Sequence, residues 1–178
     1  MKQLTPLIDS DYEAIKTFLF RYNSLNLQKK YIGSLKNMKI IQKIIHLNPK
    51  PRGFHLIDRE IAQALDEDIV TINIGTLNLF LKHTSASLAL GENYEKEVRD
   101  DLESFFNDVV DEDKPYYTHT YEGKDDIPAH IKSVIIGATL TIPITDGKLN
   151  LGTWQGIYLN EHRNHAGSRE VVVTIMGQ

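Results

Sequence analysis

The sequence predicts an α+β fold, with a mixed or antiparallel sheet folded over two or three helices. Many short runs alternate apolar and polar residues, which is typical of half-buried strands. Only a few segments carry apolar residues at helical spacing. No internal repeat or low-complexity tract is visible, and 178 residues are enough for one domain with a hydrophobic core.

Residues 1–37 differ in pattern from the rest of the chain. The segment DSDYEAIKTFLFRYNSL starts with a capping residue and carries apolar residues near helical spacing, so we expect one amphipathic helix. The polar stretch QKKYIGSLKN then reads as a linker. From Ile40 the period becomes that of a strand, in KIIQKIIHL, which ends at the turn residues NPKPRG. We therefore expect an extension over residues 1–37 and a folded domain over 38–178.

The middle of the domain contains segments with helical periodicity and segments with strand periodicity. DREIAQALDED predicts a short helix capped by Asp58, and IVTINIGTLNLFLKH predicts a hairpin that turns at Gly75. SASLALGEN continues as an extended segment. YEKEVRDDLESFFNDVV is the clearest helix. Its apolar residues share one face: Val98, Leu102, Phe105, Phe106 and Val109.

The last third predicts one helix and three strands. IPAHIKSVIIG has Pro128 in its first turn, where proline costs least, and its spacing places Ile131, Val134 and Ile135 on the buried face. The strands are ATLTIPI, TWQGIYLNE and REVVVTIMG, the first two joined through TDGK and LNL. A tryptophan in such a strand is usually a core residue, so Trp154 is expected to be buried.

Composition and charge narrow the class of protein. The chain has no cysteine, which excludes disulfides and thiolate metal sites and fits a reducing compartment. No run approaches the roughly 20 apolar residues of a membrane span, and acidic residues interrupt the start where a signal peptide is apolar. The net charge is −4, with lysine and arginine spread along the chain. We therefore expect a cytoplasmic protein that binds neither membranes nor nucleic acid.

Polar, ionisable side chains concentrate in four segments. These are LKHTSASL, YYTHTYEGKDDIPAHIKS, TDGKLNLGTWQ and NEHRNHAGSR. Imidazole is the commonest protein ligand for transition metals, and three ligands with an open fourth position make a catalytic zinc-type site. The segments lie at strand ends and at a helix start, which a shared site on a sheet requires. Spacing alone leaves plainer roles open, with His83 capping a strand and Asp126 capping a helix.

A resemblance to the YjbQ-like family of secondary thiamine-phosphate synthase enzymes is carried by four segments: PRGFHLIDREI, LKHTSASLALGENYEKEVRDDLE, YEGKDDIPAHIKS and LNLGTWQGIYLNEHRNHAGSREVVVTI. The resemblance runs in unbroken order from about residue 39 to 178, and members of that family often begin near the position of Met38. It implies an α+β domain whose mixed, largely antiparallel sheet closes into a sandwich or barrel. It also implies a homotrimer with sites between subunits. His83, His130 and His162 match histidines of the family, and His119 matches a further one.

The activity implied by the resemblance is a metal-assisted transfer of an aminopyrimidine methyl group from pyrophosphate to a thiazole phosphate. A divalent cation, Zn²⁺ or Mg²⁺, held by His83, His130 and His162 would stabilise the charge on the leaving group. Arg163 and Arg169 would bind the phosphoryl oxygens of this small phosphorylated substrate.

Other residues of the matching segments receive supporting roles. His119, Asp126 and Glu161, with Arg163, are the candidates for orienting a ligand or moving a proton. Ser85 is a candidate substrate contact, and Trp154 could border the pyrimidine ring, although core packing is the plainer interpretation. Two alternatives stay open: metal-dependent hydrolysis of a phosphate ester, and a non-enzymatic trimer that binds a metal or an anion.

Overall fold

The computed structural model describes residues 16–24 and 38–178. The chain divides into two units, Met1–Met38 and Lys39–Gln178. In the first unit, residues 16–24 are helical and form α1. The rings of Phe18 and Tyr22, one helical turn apart, stack with their centroids 6.2 Å apart. The remainder of the helix expected here, and the expected linker, lie outside the described residues.

The second unit contains eight strands and three helices. The strands are β1 (Lys39–Leu47), β2 (Gly53–Leu56), β3 (Ile74–Leu81), β4 (Ala86–Glu92), β5 (Thr139–Thr145), β6 (Lys148–Leu149), β7 (Gln155–Glu161) and β8 (Arg169–Gly177). The helices are α2 (Asp58–Ile69), α3 (Lys96–Val109) and α4 (Asp126–Ile136). This composition confirms the α+β prediction.

The strands form two antiparallel sheets. One has five strands in the order β1-β8-β3-β5-β6, and the other has three in the order β2-β7-β4. A single core cluster contains residues of both sheets, including Leu79, Leu88, Ile157 and Val173. Helices α3 and α4 contact β2 and β4 of the smaller sheet. Strand β7 is therefore covered on both faces, which explains why its residues from Gly156 to Glu161 are all buried.

The prediction of a hairpin that turns at Gly75 is wrong. Helix α2 continues to Ile69, and the chain then enters the single strand β3, with Gly75 inside it. Gly75 lies opposite Gly177 of β8, and a Cβ at this position would come within 2.4 Å of the carbonyl oxygen of Met176. This glycine permits a close approach of two strands, which the sequence pattern alone does not distinguish from a turn.

Two helices also expose apolar residues that were expected to be buried. Helix α3 has no fully buried residue, and Phe105 and Val109 on its apolar face are exposed. In α4 the covered side carries Lys132 and Ser133, whereas Val134 is 85% exposed. The buried polar groups have partners: Ser133 Oγ donates to the Ala86 carbonyl at 2.7 Å, and Lys132 Nζ donates to Asn107 Oδ1 at 2.6 Å. Polar packing against β4 and α3 thus turns apolar residues of α4 outward.

Each of the described helices is too short or too polar to cross a membrane.

Removal of residues 1–37 is expected to leave a core that folds cooperatively. The core residues that the structure describes all lie between Ile41 and Ile175, and so do all the strand pairs except their outermost residues. Thermal unfolding of the shortened chain, followed by circular dichroism, should show one cooperative transition. A chain that has lost this transition would show that the extension is part of the fold.

Candidate functional site

One group of ligand-type side chains converges at the start of α4. Asp126 begins the helix, His130 follows one turn later on the same face, and His119 lies in the preceding loop. His119 Nε2 is 2.7 Å from Asp126 Oδ2, and His130 Nε2 is 3.5 Å from Asp126 Oδ1. Among the described residues, this is the group of three whose ligand atoms all lie within 4.8 Å of one another.

His119 and Asp126 make an ion-pair contact whose atoms are not aligned as in a hydrogen bond. Asp126 Oδ2 is buried and has no hydrogen-bond partner, although His119 Nε2 is 2.7 Å away. Buried polar atoms nearly always have a partner, so an unpartnered carboxylate oxygen requires an explanation. Two ligands of one tetrahedral zinc ion stand roughly 3.4 Å apart, because each metal–ligand distance is about 2.1 Å. The 3.5 Å between His130 Nε2 and Asp126 Oδ1 matches this spacing, whereas the 2.7 Å between His119 Nε2 and Asp126 Oδ2 is shorter and would have to widen around an ion.

A backbone carbonyl fixes the ring of His130. His130 Nδ1 lies 2.9 Å from the Thr84 carbonyl oxygen, which can only accept, so Nδ1 carries the proton. The neutral ring then has its lone pair on Nε2, on the side of Asp126. Metal-binding histidines commonly donate their second N–H to a carbonyl in this way.

Arg163 is held by the loop that precedes α4. It forms ion pairs with Asp125, at 3.1 Å, and with Asp126, and it donates to the Glu122 carbonyl at 2.9 Å. Burial raises the pKa of Asp125, but the Asn164 N–H and the Arg163 guanidinium outweigh burial and lower it. All the nitrogens of Arg163 therefore face protein acceptors. Its predicted binding of phosphoryl oxygens requires these contacts to be exchanged. Its predicted orienting role stays a prediction, although its guanidinium already contacts Asp126.

A second cluster joins the two sheets at the same end of the domain. Arg169 of β8 donates to both carboxylate oxygens of Glu161 in β7, each at 2.7 Å, and both side chains are buried. Arg169 also lies 3.3 Å from Ser85 Oγ. A bidentate buried pair of this kind fixes the relative position of two strands. Glu161 was predicted for catalysis, and Arg169 and Ser85 for substrate binding. The structure brings the three together, and those roles stay predictions.

His83 belongs to this second cluster. Its Nε2 accepts a hydrogen bond from the Glu170 N–H at 2.8 Å, and its Nδ1 faces Arg169 Nη1 at 3.3 Å. Burial and then the charge of Arg169 lower the pKa of His83. Both ring nitrogens contact residues of β8.

His162 is buried next to residues of the three-stranded sheet. Its Nε2 lies 2.9 Å from Ser87 Oγ, and its ring packs edge-on against Phe54. Burial, followed by the positive charges of Lys132, Arg52 and Arg169, lowers the pKa of His162 to about 3. The buried Nδ1 has no hydrogen-bond partner. The ring is therefore neutral at physiological pH.

The three histidines expected to share an ion thus lie in three different surroundings within this chain. His83 and His162 are committed to Glu170 and Ser87, whereas the group that forms contains His130 with His119 and Asp126. Whether His83 or His162 contacts a metal stays a prediction.

The burial of His162 predicts a pH-dependent stability. Its folded pKa of about 3 lies below the ordinary value of 6.5, so the unfolded chain binds more protons between these values and stability falls as pH falls. Between pH 7 and 5.5 this group should reduce the free energy of unfolding by about 1 kcal/mol. Urea unfolding of the wild type and of His162→Asn at both pH values isolates the effect. His46→Asn, at an exposed histidine, serves as the control.

Loss of the same stability between the two pH values in His162→Asn would contradict this assignment. Burial also lowers the pKa of His55 and of His83, so both residues also reduce the free energy of unfolding as pH falls. The comparison between variants is therefore needed to separate the contribution of His162.

Trp154 is not a core residue. Its side chain is 62% exposed and packs edge-on against Tyr94, with ring centroids 5.9 Å apart. It precedes β7, whereas Glu161 ends that strand, so roughly 20 Å of extended chain separates it from the polar end of the domain. Strand alternation predicted burial, but β7 starts one residue later. Within one chain Trp154 does not meet the other site residues.

Some contributors to the site have no sequence signature. The Thr84 carbonyl is a backbone group, and only the fold brings it to His130. Asp125 reads as a solvated turn residue, yet it holds both Arg163 and the Asn164 N–H. Lys132, two residues after His130, is fully buried, and burial lowers its pKa. A lysine in a helix is normally exposed, so nothing in the pattern marks it.

Comparisons with known proteins agree on one family. Residues 43–178 match the family model described as UPF0047 protein YjbQ-like. The UPF0047 protein YjbQ of Escherichia coli O157:H7 is 50% identical over 137 residues, which cover 77% of this chain and 98% of that protein. A UPF0047 protein of Synechocystis sp. is 37% identical over 147 residues, covering 83% and 99%.

Solved structures show the same relationship. An uncharacterised YjbQ/UPF0047 protein of Clostridium acetobutylicum is 30% identical with a TM-score of 0.62, over 76% of this chain and 98% of that one. A protein of unknown function from Sulfolobus solfataricus P2 shares the fold, with a TM-score of 0.70 at 23% identity, over 80% and 100% of the two chains. From residue 43 to its end, this chain belongs to the YjbQ-like UPF0047 family.

Proposed function

We propose that this protein is a divalent-metal enzyme that acts on a small phosphorylated substrate at His119, Asp126 and His130. The convergence of these three side chains carries the proposal, because their ligand atoms lie within 4.8 Å of one another and the buried Oδ2 of Asp126 has an ion-pair contact with His119 but no hydrogen bond. His119 is half exposed and His130 partly so, which leaves one side of the group open to a ligand. Three protein ligands with an open side are the pattern of catalytic metal sites.

The donor set favours zinc over magnesium. Two imidazoles and one carboxylate suit Zn²⁺, whereas Mg²⁺ prefers oxygen ligands throughout. A bound ion of this type supplies a positive charge that stabilises negative charge developing on phosphoryl oxygens.

Neighbouring residues of the chain orient the proposed metal ligands. The Thr84 carbonyl keeps the proton of His130 on Nδ1 and leaves Nε2 free. Arg163 binds Oδ1 of Asp126, the oxygen nearer to His130, and Oδ2 stays turned toward His119. Glu161 accepts a hydrogen bond from the Arg163 N–H at 3.0 Å, which ties this loop to the buried pair with Arg169.

The reaction favoured by the family resemblance is the coupling of an aminopyrimidine methyl pyrophosphate to a thiazole phosphate. That chemistry needs stabilisation of the leaving pyrophosphate and no protein nucleophile. The group around Asp126 fits this requirement, since it consists of imidazole, carboxylate and guanidinium groups. Because Arg163 and Arg169 are paired with carboxylates of the protein, a bound metal ion would supply most of the positive charge that stabilises the leaving group.

Hydrolysis of a phosphate ester is the second candidate. The exposure of His119 favours it, because water reaches the same side of the site as a substrate would. The two reactions use one centre and differ in the nucleophile.

Metal analysis and parallel assays test the proposal. Purified protein should contain or bind one zinc per chain, and chelation should abolish coupling or hydrolysis, with zinc restoring it. Asp126→Asn should lose zinc, while Asp101→Asn, at an exposed aspartate of α3, should retain it. Zinc binding without either activity would support the non-enzymatic alternative. A protein with no affinity for zinc would overturn the proposal.

We also propose that the protein assembles as a homotrimer. The outer face of the five-stranded sheet supports an assembly, because Ile40 and Met176, paired in register, are 70% and 45% exposed, and Ile44 nearby is also exposed. Sedimentation equilibrium should give a mass of three chains. A mass of one or two chains would contradict it.

The cytoplasmic location, and a small molecule rather than nucleic acid or a membrane as the partner, stay predictions. They are supported by the net charge of −4 and by the scattered basic residues.

A further inference from the structure

We infer that His83, Ser85 and Arg169 form a binding site for the carboxylate group of a small ligand, with His83 as a hydrogen-bond donor. The site lies within the second cluster described above and does not depend on the proposed metal centre. It assigns to His83 a role other than metal ligation.

A backbone hydrogen bond fixes the proton of His83. The Glu170 N–H donates to His83 Nε2 at 2.8 Å, so Nε2 offers its lone pair and carries no proton. Burial and the charge of Arg169 lower the pKa of His83, so the ring is neutral at pH 7. A neutral imidazole has one proton, which is then on Nδ1. His83 therefore presents an N–H to Arg169.

Two hydrogen-bond donors thus face each other. His83 Nδ1 lies 3.3 Å from Arg169 Nη1, and a guanidinium nitrogen can only donate. Glu161 accepts from Nε and Nη2 of Arg169, whereas the contact of Nη1 among the described residues is with His83. Because two N–H groups cannot bond to each other, both require an acceptor. An oxygen placed between them reaches hydrogen-bond distance, about 2.9 Å, from both nitrogens.

Ser85 adds a third donor. Its Oγ accepts from Arg169 Nη2 at 3.3 Å, and its own O–H has no acceptor among the described residues. His83 and Ser85 are partly exposed, so a small ligand can reach them from solvent. Three donors grouped around one guanidinium suit the two oxygens of a planar carboxylate.

The charge around His83 favours a carboxylate over a phosphoryl group. Four charged groups act on the ring: Arg169, Lys82, Glu161 and Glu170. Arg169 is paired with Glu161, and Lys82 is paired with Glu170 at 2.6 Å. A phosphate monoester carries a charge of about −1.5 to −2 at pH 7, whereas a carboxylate carries a single negative charge. A site without excess positive charge therefore binds the carboxylate more readily.

NMR of the metal-free full chain with isotope-labelled histidine tests the inference. We expect the ring nitrogen signals of His83 to show a proton on Nδ1 and none on Nε2. These signals should shift saturably when acetate is added at pH 7. Inorganic phosphate at the same ionic strength should bind more weakly than acetate.

Variants locate the bound acetate, followed through the backbone amide of Arg169. Ser85→Ala removes a hydrogen bond to a charged group, so the affinity for acetate should fall at least about tenfold. His83→Phe keeps a ring but has no donor, and it should not bind acetate. Thr84→Ala is the matched control, since it removes a hydroxyl from the adjacent, exposed residue. It should bind acetate as the wild type does.

Several results would overturn the inference. These are a proton on Nε2 of His83, no saturable binding of acetate, tighter binding of phosphate than of acetate, and equal loss or no loss in Ser85→Ala and Thr84→Ala. Zinc that replaces the Nδ1 proton of His83 and displaces acetate would make His83 a metal ligand and also refute it. Because the acetate titration uses metal-free protein, failure of the proposed metal centre at Asp126 would leave this site standing.

Discussion

Replacement of His130 by Gln is expected to lower the affinity for zinc, and any coupling or hydrolytic activity, at least about tenfold, because even residues behind a metal ligand contribute about 10- to 100-fold. Folding should be affected little. The variant loses one hydrogen bond, from Nδ1 to the Thr84 carbonyl, so the free energy of unfolding should fall by only about 1 kcal/mol. Zinc titration calorimetry and urea unfolding measure the two quantities on the same sample.

His46→Gln is the matched control for this variant. His46 is an exposed histidine of β1 in the five-stranded sheet, whereas α4 packs against β4 of the three-stranded sheet. It should keep both zinc affinity and stability. A His130→Gln protein that retains zinc and activity but is strongly destabilised would make His130 a packing residue and remove it from the centre.

Replacement of Arg169 by Met is expected to reduce the free energy of unfolding by about 3–5 kcal/mol, because it leaves the carboxylate of Glu161 buried without its partner. Glu161 is fully buried, and Arg169 nearly so, with two N–O contacts of 2.7 Å between them. This is the largest stability change that we expect from a single substitution at the site. Urea unfolding at pH 7 measures it.

The double variant Glu161→Gln/Arg169→Met separates a structural role from substrate binding. Replacing the buried, unpaired carboxylate of Glu161 by a neutral amide should recover part of the lost stability. The double variant should therefore be more stable than Arg169→Met alone. Lys82→Met, which breaks an exposed pair with Glu170, should cost less than about 1 kcal/mol. An Arg169→Met protein of wild-type stability that no longer binds phosphate would restore Arg169 to the predicted substrate-binding role.

Strand patterning predicted most of the fold. The runs that became β1, β5 and β8 alternate clearly, because one face of each packs against the core. The prediction failed where neighbouring strands decided the outcome. Gly75 is in a strand because Gly177 lies against it, and no local pattern contains that contact.

Helix α4 shows a second limit of local pattern. Its apolar spacing predicts Val134 and Ile135 on the buried face, yet these residues are exposed. The covered face instead takes Lys132 and Ser133, because acceptors on Asn107 and Ala86 are available there. Hydrophobic periodicity cannot anticipate a buried polar partner from another element.

The sequence by itself determined the family, the α+β class and the supply of histidines and carboxylates in a few segments. The tertiary structure alone decided which of them meet. His130 was expected to have His83 and His162 as companions, but the fold brings it His119 and Asp126. Ligation depends on distances of a few ångströms that residue order along the chain does not fix, and the packing of α4 against β4, which pairs with β7, helps to set those distances. Residue types therefore predict the chemistry, whereas packing selects the atoms that perform it.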